Sequence, residues 1–323
     1  MKQNEKISNN KRSLNLIFNI GLCFMIVIYL NACQSNSGQG KPLSNSKENS
    51  ISKTAVINSQ SSIDNYEIAK KKYEESSNDP NALIWFGRRT AYLGNYEEAI
   101  KVFTTGIQLH PQDPRMYRHR GHRYISTRQY DKAILDLEKA VTLIKDQKDE
   151  IEPDGLPNSR NIPISTLQGN IWYHLGLAYY LKNDMDNALK AFSNRTVTEK
   201  YDDNIVSGGH WLYMILARKG KTKEANSVIG KVNINMDIIE NYSYHKMCLF
   251  YKQLIPESDL KSDDHKSSAS NVLTYGLGNW YLYQKQDTSQ AKIYYKQLLE
   301  NGNNYSFAYL AAESDWERIF KNK

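Results

Sequence analysis

The stretch NIWYHLGLAYYLKNDMDNALKAF, which runs from Asn170 to Phe192, decides the fold. Its apolar residues recur at spacings of three and four, which is the period of an α-helix with one buried face. A polar segment, KNDMDN, separates two such halves. The small residues Gly176 and Ala188 allow the two halves to cross closely. The larger residues that we expect to wedge between neighbouring helices are Trp172, Leu175, Tyr179 and Phe192.

The same pattern occurs twice upstream at a fixed period. When Pro80–Asp113 is aligned with the segment from Pro114, these pairs coincide 34 residues apart: Gly87 with Gly121, Tyr96 with Tyr130, and Ala99 with Ala133. Together with the W-x2-L-G-x2-Y and A-x3-F spacings of Asn170–Phe192, this period resembles the tetratricopeptide repeat (TPR) family. The resemblance implies an all-α fold, a TPR-type α-α superhelix of helix-turn-helix repeats, which stack because one repeat cannot bury its own large side chains.

Weaker copies extend the array towards the C-terminus. We expect the repeat domain to cover residues 63–323, with a helix from Ile63 at its start and an extra helix over Met236–Leu254. The sequence shows no sustained alternation of polar and apolar residues, so little or no sheet is expected. The predicted repeats are about 80–113, 114–144, 169–200, 206–231 and 272–300, followed by a capping helix over 305–321.

One connection is much longer than an array of this kind needs. Residues 145–168 form a 24-residue segment that contains Pro153, Pro157 and Pro163. Long connections inside compact domains tend to be either functional or disordered. The three prolines stiffen this one, and we therefore expect an ordered loop that lies on the array.

The N-terminus has the features of an export signal. Basic residues up to Arg12 precede a short apolar run, and residues 1–32 therefore predict a signal peptide. The ending LNAC, which closes on Cys33, resembles the lipobox of bacterial lipoproteins, in which that Cys becomes the acylated first residue. An uncleaved signal anchor over Leu14–Ala32 is the alternative. Either way, the sequence predicts a body outside the cytoplasm, in the bacterial cell envelope and facing the periplasm or the exterior.

Residues 33–62 are expected to form a flexible polar tether. Sixteen of the 29 residues from Gln34 to Ser62 are Ser, Asn or Gln, and no apolar periodicity is present to build a core. Such a chain reaches on the order of 30 Å. The tether would hold the repeat domain away from a membrane surface.

The net charge argues against nucleic acid as a partner. The chain carries +7, of which the predicted signal peptide contributes +3, so that +4 remains on the body. Nucleic-acid binding needs a clustered basic stripe rather than a small average excess. We therefore expect no nucleic acid.

The second repeat opens with MYRHRGHRY, in which five of nine residues are Arg or His. In this stretch Tyr117, Gly121 and Tyr124 take the packing face, which leaves Arg115, Arg118 and His122 on another face. The resemblance implies that this second face of each first helix lines a concave groove. The predicted groove residues are Arg88, Tyr92, Arg115, Arg118, His122, Tyr173, Tyr180 and His210.

Such a groove favours a protein or peptide partner with acidic groups. Arginines pair bidentately with carboxylates, and the tyrosines offer apolar contacts. The alternative is a structural role, in which the arginines pair within the chain, with Glu150, Glu152 or Asp154 of the long loop. The rival function is a small-ligand or metal receptor, or an enzyme, whose His/Arg-lined groove is closed by the loop over 145–168.

The sequence holds no motif that names a reaction. It has no G-x-S-x-G, no H-E-x-x-H and no glycine-rich phosphate loop, and no two histidines stand at the i, i+4 spacing of a helical metal site. We therefore predict a non-enzymatic protein without cofactor or metal site. The sequence gives no indication of oligomeric state.

Overall fold

The chain folds into paired antiparallel helices, as the repeat pattern predicts. The computed structural model describes residues 59–195, 201–260 and 264–321, all within one compact unit, Lys53–Lys323. The first helices of the two leading repeats begin at the expected places: α2 (Pro80–Tyr92) and α4 (Pro114–Ser126) each start with Pro, after an aspartate cap. The helices are α1 (Gln60–Glu75), α2 (Pro80–Tyr92), α3 (Tyr96–Leu109), α4 (Pro114–Ser126), α5 (Tyr130–Leu143), α6 (Leu167–Leu181), α7 (Met185–Arg195), α8 (Asp202–Arg218), α9 (Thr222–Val228), α10 (Tyr242–Tyr251), α11 (Ser268–Tyr283), α12 (Thr288–Asn301) and α13 (Phe307–Ile319).

The glycines of the repeats sit where two helices cross. A Cβ on Gly87 would lie 2.6 Å from the Phe103 ring, and one on Gly176 would lie 2.6 Å from the Phe192 ring. Such distances are shorter than any real carbon contact, so only glycine admits these crossings. The all-α prediction is confirmed: within the described ranges the structure holds no strand, only one isolated antiparallel bridge, Ile151 to Thr166.

Two boundaries differ from the sequence-based expectation. Helix α1 begins at Gln60, inside the predicted tether, because the Ser59 side chain accepts a hydrogen bond from the Ser62 amide and caps the helix. The extra helix expected over Met236–Leu254 covers only Tyr242–Tyr251, and a short 3₁₀ helix with a buried Leu260, Glu257–Leu260, follows it.

The predicted signal peptide, Cys33 and most of the tether lie outside the described residues. No helix in the part of the chain that the structure describes combines the length and the hydrophobicity needed to cross a bilayer. Cys248 is a free, buried thiol.

The long loop lies on the array. The Glu152 amide donates to the Ser165 carbonyl and the Leu167 amide to the Glu150 carbonyl, which closes the loop at its base. Near its end, Ile164 is buried and its carbonyl accepts a hydrogen bond from Asn204. These contacts close the loop at its base and hold its end against α8.

Helix α13 does more than cap the last pair of helices. Its residues contact α6 as well as α11 and α12. Glu313 accepts hydrogen bonds from Arg128 after α4, and Phe307 packs against His122 and His174 with ring centroids 5.3 and 5.6 Å apart. The last helix therefore covers the face of α4 and α6 that the repeat pattern assigns to a groove.

Candidate functional site

The predicted groove residues are divided between covered and accessible positions. Arg88, Arg118, Tyr180 and His210 are buried, whereas Tyr92, Arg115, His122 and Tyr173 are half-buried. The covering groups come from the chain itself, from the long loop at one end and from α13 and α10 at the other. The eight residues therefore do not form one continuous open surface.

The long loop covers the arginines of α2 and α4. Arg88 donates to the Pro153 carbonyl through Nη2 at 2.8 Å, and the neighbouring Arg89 donates to the Gly155 carbonyl at 2.7 Å. Arg118 forms a buried ion pair with Glu152 at 3.1 Å. Pairing of an arginine with Glu152 is one of the intramolecular contacts that the sequence left open.

Glycine is required where the loop meets α2. A Cβ on Gly155 would lie 1.8 Å from the Tyr92 hydroxyl, so no other residue fits without moving the loop or the ring. Tyr92 in turn accepts a weak hydrogen bond from Arg88 Nε at 3.4 Å. The loop and the α2 face are therefore shaped to each other.

The remaining predicted residues serve different contacts. Arg115 is held by Asp113 and Asn81 and lines a separate groove near the base of the loop. The Tyr173 hydroxyl accepts from Trp211 and lies 3.2 Å from that of Tyr244. Arg115 and Tyr173 thus belong to two different local networks.

Tyr180 and His210 belong to the interior. The Tyr180 hydroxyl lies 2.6 Å from that of Tyr275, and burial raises the pKa of Tyr180 to about 12. His210 stacks on Tyr251, and burial lowers the pKa of its imidazole to about 3. Both side chains are neutral at physiological pH and contribute packing.

A small cavity of about 90 Å³ remains between α2 and α4, beneath the covering elements. Three of its side chains are arginines, from two adjacent helices. The cavity is lined by Arg88, Ala91, Tyr92, Phe103, Arg118, His119, His122 and Arg123. We call this the arginine chamber.

The histidines of the chamber are neutral. Burial, together with the positive charge of neighbouring arginines, lowers the pKa values of His119 and His122 well below the ordinary range. His119 Nδ1 accepts from Arg118 Nη1 at 2.9 Å, which places the imidazole hydrogen on Nε2. The positive charge of the chamber therefore resides on its arginines.

Sequence reasoning missed Arg123, the most exceptional residue of the chamber. It is 8% exposed, and burial lowers its pKa to about 10. Its guanidinium lies over the Tyr96 ring, 5.3 Å from the centroid. A signal was present, because Arg123 stands 34 residues after Arg89 and so occupies the same repeat position.

A larger groove of about 560 Å³ lies between α1 and α2. It combines apolar and charged side chains. Ile68 is 56% exposed, and the groove is also lined by Lys72, Glu75, Asp79, Trp85 and Arg89. The guanidinium groups of Arg88 and Arg89 lie over the Trp85 ring, 4.5 and 5.1 Å from its centroid. The two arginines thus connect this groove to the edge of the arginine chamber.

The residues do not assemble a metal centre. Within the described ranges, no group of three or more His, Cys, Asp or Glu side chains is arranged to hold a metal ion. His122 packs on His174 with ring centroids 4.2 Å apart, whereas His210 lies among Trp211, Tyr244 and Tyr251.

Comparison with solved structures finds several helical-repeat proteins. YrrB, described as a TPR protein with an unusual peptide-binding site, is 17% identical over 77% of this chain and 99% of that one, with a TM-score of 0.42. MamA from Desulfovibrio magneticus RS-1, from its residue 41 onward, is 22% identical over 53% and 83%, with a TM-score of 0.41. A putative kinesin light chain from Podospora anserina with nearly identical TPR-like repeats is 13% identical over 75% and 99%, with a TM-score of 0.41.

Two segments of the chain match the tetratricopeptide repeat directly. The matched residues are 86–149, which contain most of α2 to α5, and 169–193, which contain most of α6 and α7. Both segments coincide with the helix pairs in which Gly87, Gly121 and Gly176 occupy the crossings. This chain therefore contains tetratricopeptide repeats.

Proposed function

We propose that this chain is an interaction scaffold of the cell envelope, which binds a protein or peptide segment in the groove between α1 and α2. The proposal rests on one observation. This groove brings exposed apolar side chains and basic ones together, while the chain's own loop and last helix cover much of the face predicted for binding. Solenoids of stacked repeats commonly bind partners on such surfaces.

The groove has the size and composition of a peptide site. A volume of about 560 Å³ lies within the range of ordinary ligand pockets. Trp85 provides a large apolar contact area, and aromatic residues with arginine are enriched among the side chains that dominate binding energy. Arg89 and Lys72 favour a carboxylate on the partner, and Glu75 and Asp79, which line the same groove, favour a basic group. The groove therefore suits a segment that carries charged and apolar residues.

Site-specific photocrosslinking in intact cells tests this assignment. A photoreactive residue at position 68 should give a discrete adduct, whereas one at position 293 on α12, where Ile293 is 58% exposed, should give none. Arg89→Glu should abolish the adduct, while Arg160→Glu on the exposed part of the loop should leave it. Equal adducts at both positions, or an adduct indifferent to Arg89→Glu, would show that the groove is not the binding surface.

The second part of the proposal concerns anchoring. Cys33 follows an apolar run in a lipobox-like setting, and acylation there would place the repeat domain at a membrane surface through the polar tether. Metabolic labelling with an alkyne fatty acid should mark the parent chain and not Cys33→Ser. A parent chain that stays in the membrane fraction without label would instead support the uncleaved signal anchor.

A further inference from the structure

We propose that the arginine chamber is a binding site for a small, doubly charged oxyanion of the phosphate type. The observation that carries this inference is a buried arginine without a partner. Among the residues that the structure describes, the guanidinium of Arg123 makes no ion pair and no hydrogen bond, only its contact with the Tyr96 ring. It lines the chamber while its side chain is more than nine-tenths buried.

An unpaired buried charge is an expensive feature in a folded protein. Transferring an ionised group from water into a protein interior is strongly unfavourable unless a counter-charge or several hydrogen bonds compensate it. A stacked tyrosine supplies only a small part of that compensation. The chamber therefore lacks a negative charge at Arg123.

Arg118, on the same helix, also has a buried N–H group without a partner. Its Nη groups are engaged by Glu152 and His119, but its Nε–H is buried without a hydrogen-bond partner. Arg118 and Arg123 lie five residues apart on α4 and line the same cavity, and Arg88 of α2 lines it from the opposite side. An oxyanion placed between these three arginines would accept hydrogen bonds from guanidinium N–H groups of both helices.

The charge balance indicates a dianion. Three arginines line the chamber, Arg88, Arg118 and Arg123, and Glu152 of the long loop forms an ion pair with Arg118. Outside the lining, Asp154, which acts on Arg88, and Arg89 carry opposite charges. Two positive charges remain, since the chamber histidines are neutral. A divalent oxyanion would neutralise them.

The volume restricts the ligand to a small group. A water molecule needs about 10–15 Å³ of such a cavity, so one of about 90 Å³ holds a few waters or one compact oxyanion. A nucleotide or a peptide does not fit inside. Guanidinium groups present a planar fork of N–H donors, which matches the oxygen spacing of phosphate.

This site does not depend on the proposed partner groove. Phosphate binding is tested with the parent chain and with variants of Arg123, which lines the chamber but not the α1–α2 groove. Failure of one assignment therefore leaves the other standing.

Calorimetric titration of the full-length chain with inorganic phosphate tests the proposal. Phosphate should bind one to one, sulfate should compete, and acetate, which carries one charge, should bind much more weakly. Glycerol 3-phosphate distinguishes a free anion from the end of a larger molecule: it competes only if the chamber admits a phosphate monoester.

Variants of Arg123 supply the decisive comparison. Arg123→Met should weaken phosphate binding roughly 10- to 100-fold, as expected for the loss of a charge-assisted hydrogen-bonding group. Arg123→Lys keeps the charge and serves if the first variant folds poorly; it should also weaken binding because it lacks the fork. Arg160→Met, at an exposed pair with Asp237, is the matched control and should bind like the parent.

Three results would overturn the proposal. They are the absence of phosphate binding by the parent chain, equal binding by the parent and both Arg123 variants, and acetate binding as tight as that of phosphate. The last result would refute the assignment to a dianion.

Discussion

Arg123 on α4 and Arg218 on α8 occupy similar settings, and they differ in one respect. Each guanidinium lies over a tyrosine ring, Arg123 at 5.3 Å from the centroid of Tyr96 and Arg218 at 4.7 Å from that of Tyr180. Arg218 pairs with the buried carboxylate of Asp315 at 2.8 Å. Arg123 pairs with no carboxylate of the described residues. The first arrangement is a completed structural contact, and the second is one that a ligand would complete.

The protonation behaviour follows from that difference. Burial opposes the charge of Arg218, but Asp315 and the surrounding tyrosines outweigh it, so its pKa is raised well above the ordinary value. Burial also opposes the charge of Arg123, and there the nearby Arg118 and Arg88 add repulsion, so its pKa falls to about 10. The charge of a buried arginine therefore stabilises the fold at Arg218 and destabilises it at Arg123.

The largest expected effect is at Asp315. Its carboxylate receives Arg218, Arg318, Tyr275 and Tyr295, so Asp315→Asn would leave a buried guanidinium without its counter-charge. We expect the free energy of unfolding to drop by about 3–5 kcal/mol. Urea denaturation followed by circular dichroism measures it. Asp186→Asn, at an exposed pair with Lys219, is the control and should leave the midpoint unchanged. A loss no greater than in this control would refute the structural role.

Acid should affect the chamber end through its histidines. Burial, and then the charge of Arg123, lowers the pKa of His122 well below its ordinary value, so the folded chain keeps this ring neutral while the unfolded chain protonates it. Below about pH 6.5 the unfolded state therefore binds the extra proton, and stability falls as pH falls, by about 1.4 kcal/mol per pH unit for each such ring.

Substitution of His122 isolates its share of that slope. The ring contacts His174 and Phe307 through packing, so His122→Leu should retain the fold and flatten the dependence by about 1.4 kcal/mol per pH unit between pH 6 and 5. His210→Leu, away from the chamber, should flatten it similarly, because burial lowers the pKa of His210 to about 3. Urea titrations at the two pH values measure both. Slopes identical to the parent's would mean that these rings are protonated in the folded chain.

The smallest effect, and the one of opposite sign, is expected at Arg123. In buffer free of phosphate and sulfate, Arg123→Met removes a buried charge that has no counter-ion and loses only a contact with Tyr96 worth about 0.5–1 kcal/mol. We expect stability within about 1 kcal/mol of the parent, on the stabilising side. Urea denaturation beside Asp315→Asn makes the comparison direct. A loss as large as at Asp315 would show that Arg123 is a structural residue after all.

The helix pairs were predictable because their determinants are local. Gly176 and Phe192 lie within one 23-residue stretch, and their spacing specifies the crossing of α6 and α7. Gly87 and Gly121 repeat that logic at a period of 34. The residues that determine how each helix pair packs therefore lie within that pair.

The covering of the groove face was not predictable in the same way. Helix α13 reads as an amphipathic helix, but amphipathicity does not say which surface receives its apolar side. The contact of Phe307 with His122 joins residues 185 positions apart. The loop was expected on the array and Glu152 among the acidic partners, yet the fit of Gly155 against Tyr92 depends on tertiary placement alone.

Arg123 was overlooked because of its register. It lies between His122, assigned to the groove, and Tyr124, assigned to the packing face, and a charge at such a boundary is usually solvated. Only its equivalence to Arg89 in the preceding repeat marked it as a recurring position.

The contrast between the two arginines can be observed in one crystal. Selenate is a divalent tetrahedral oxyanion, and diffraction data collected at the selenium absorption edge locate it without ambiguity. Crystals of the chain soaked in selenate should show an anomalous peak within hydrogen-bonding distance of Arg118 and Arg123, and none at Arg218. Electron density for water alone in the chamber, or a comparable peak at Arg218, would contradict the distinction between the two sites.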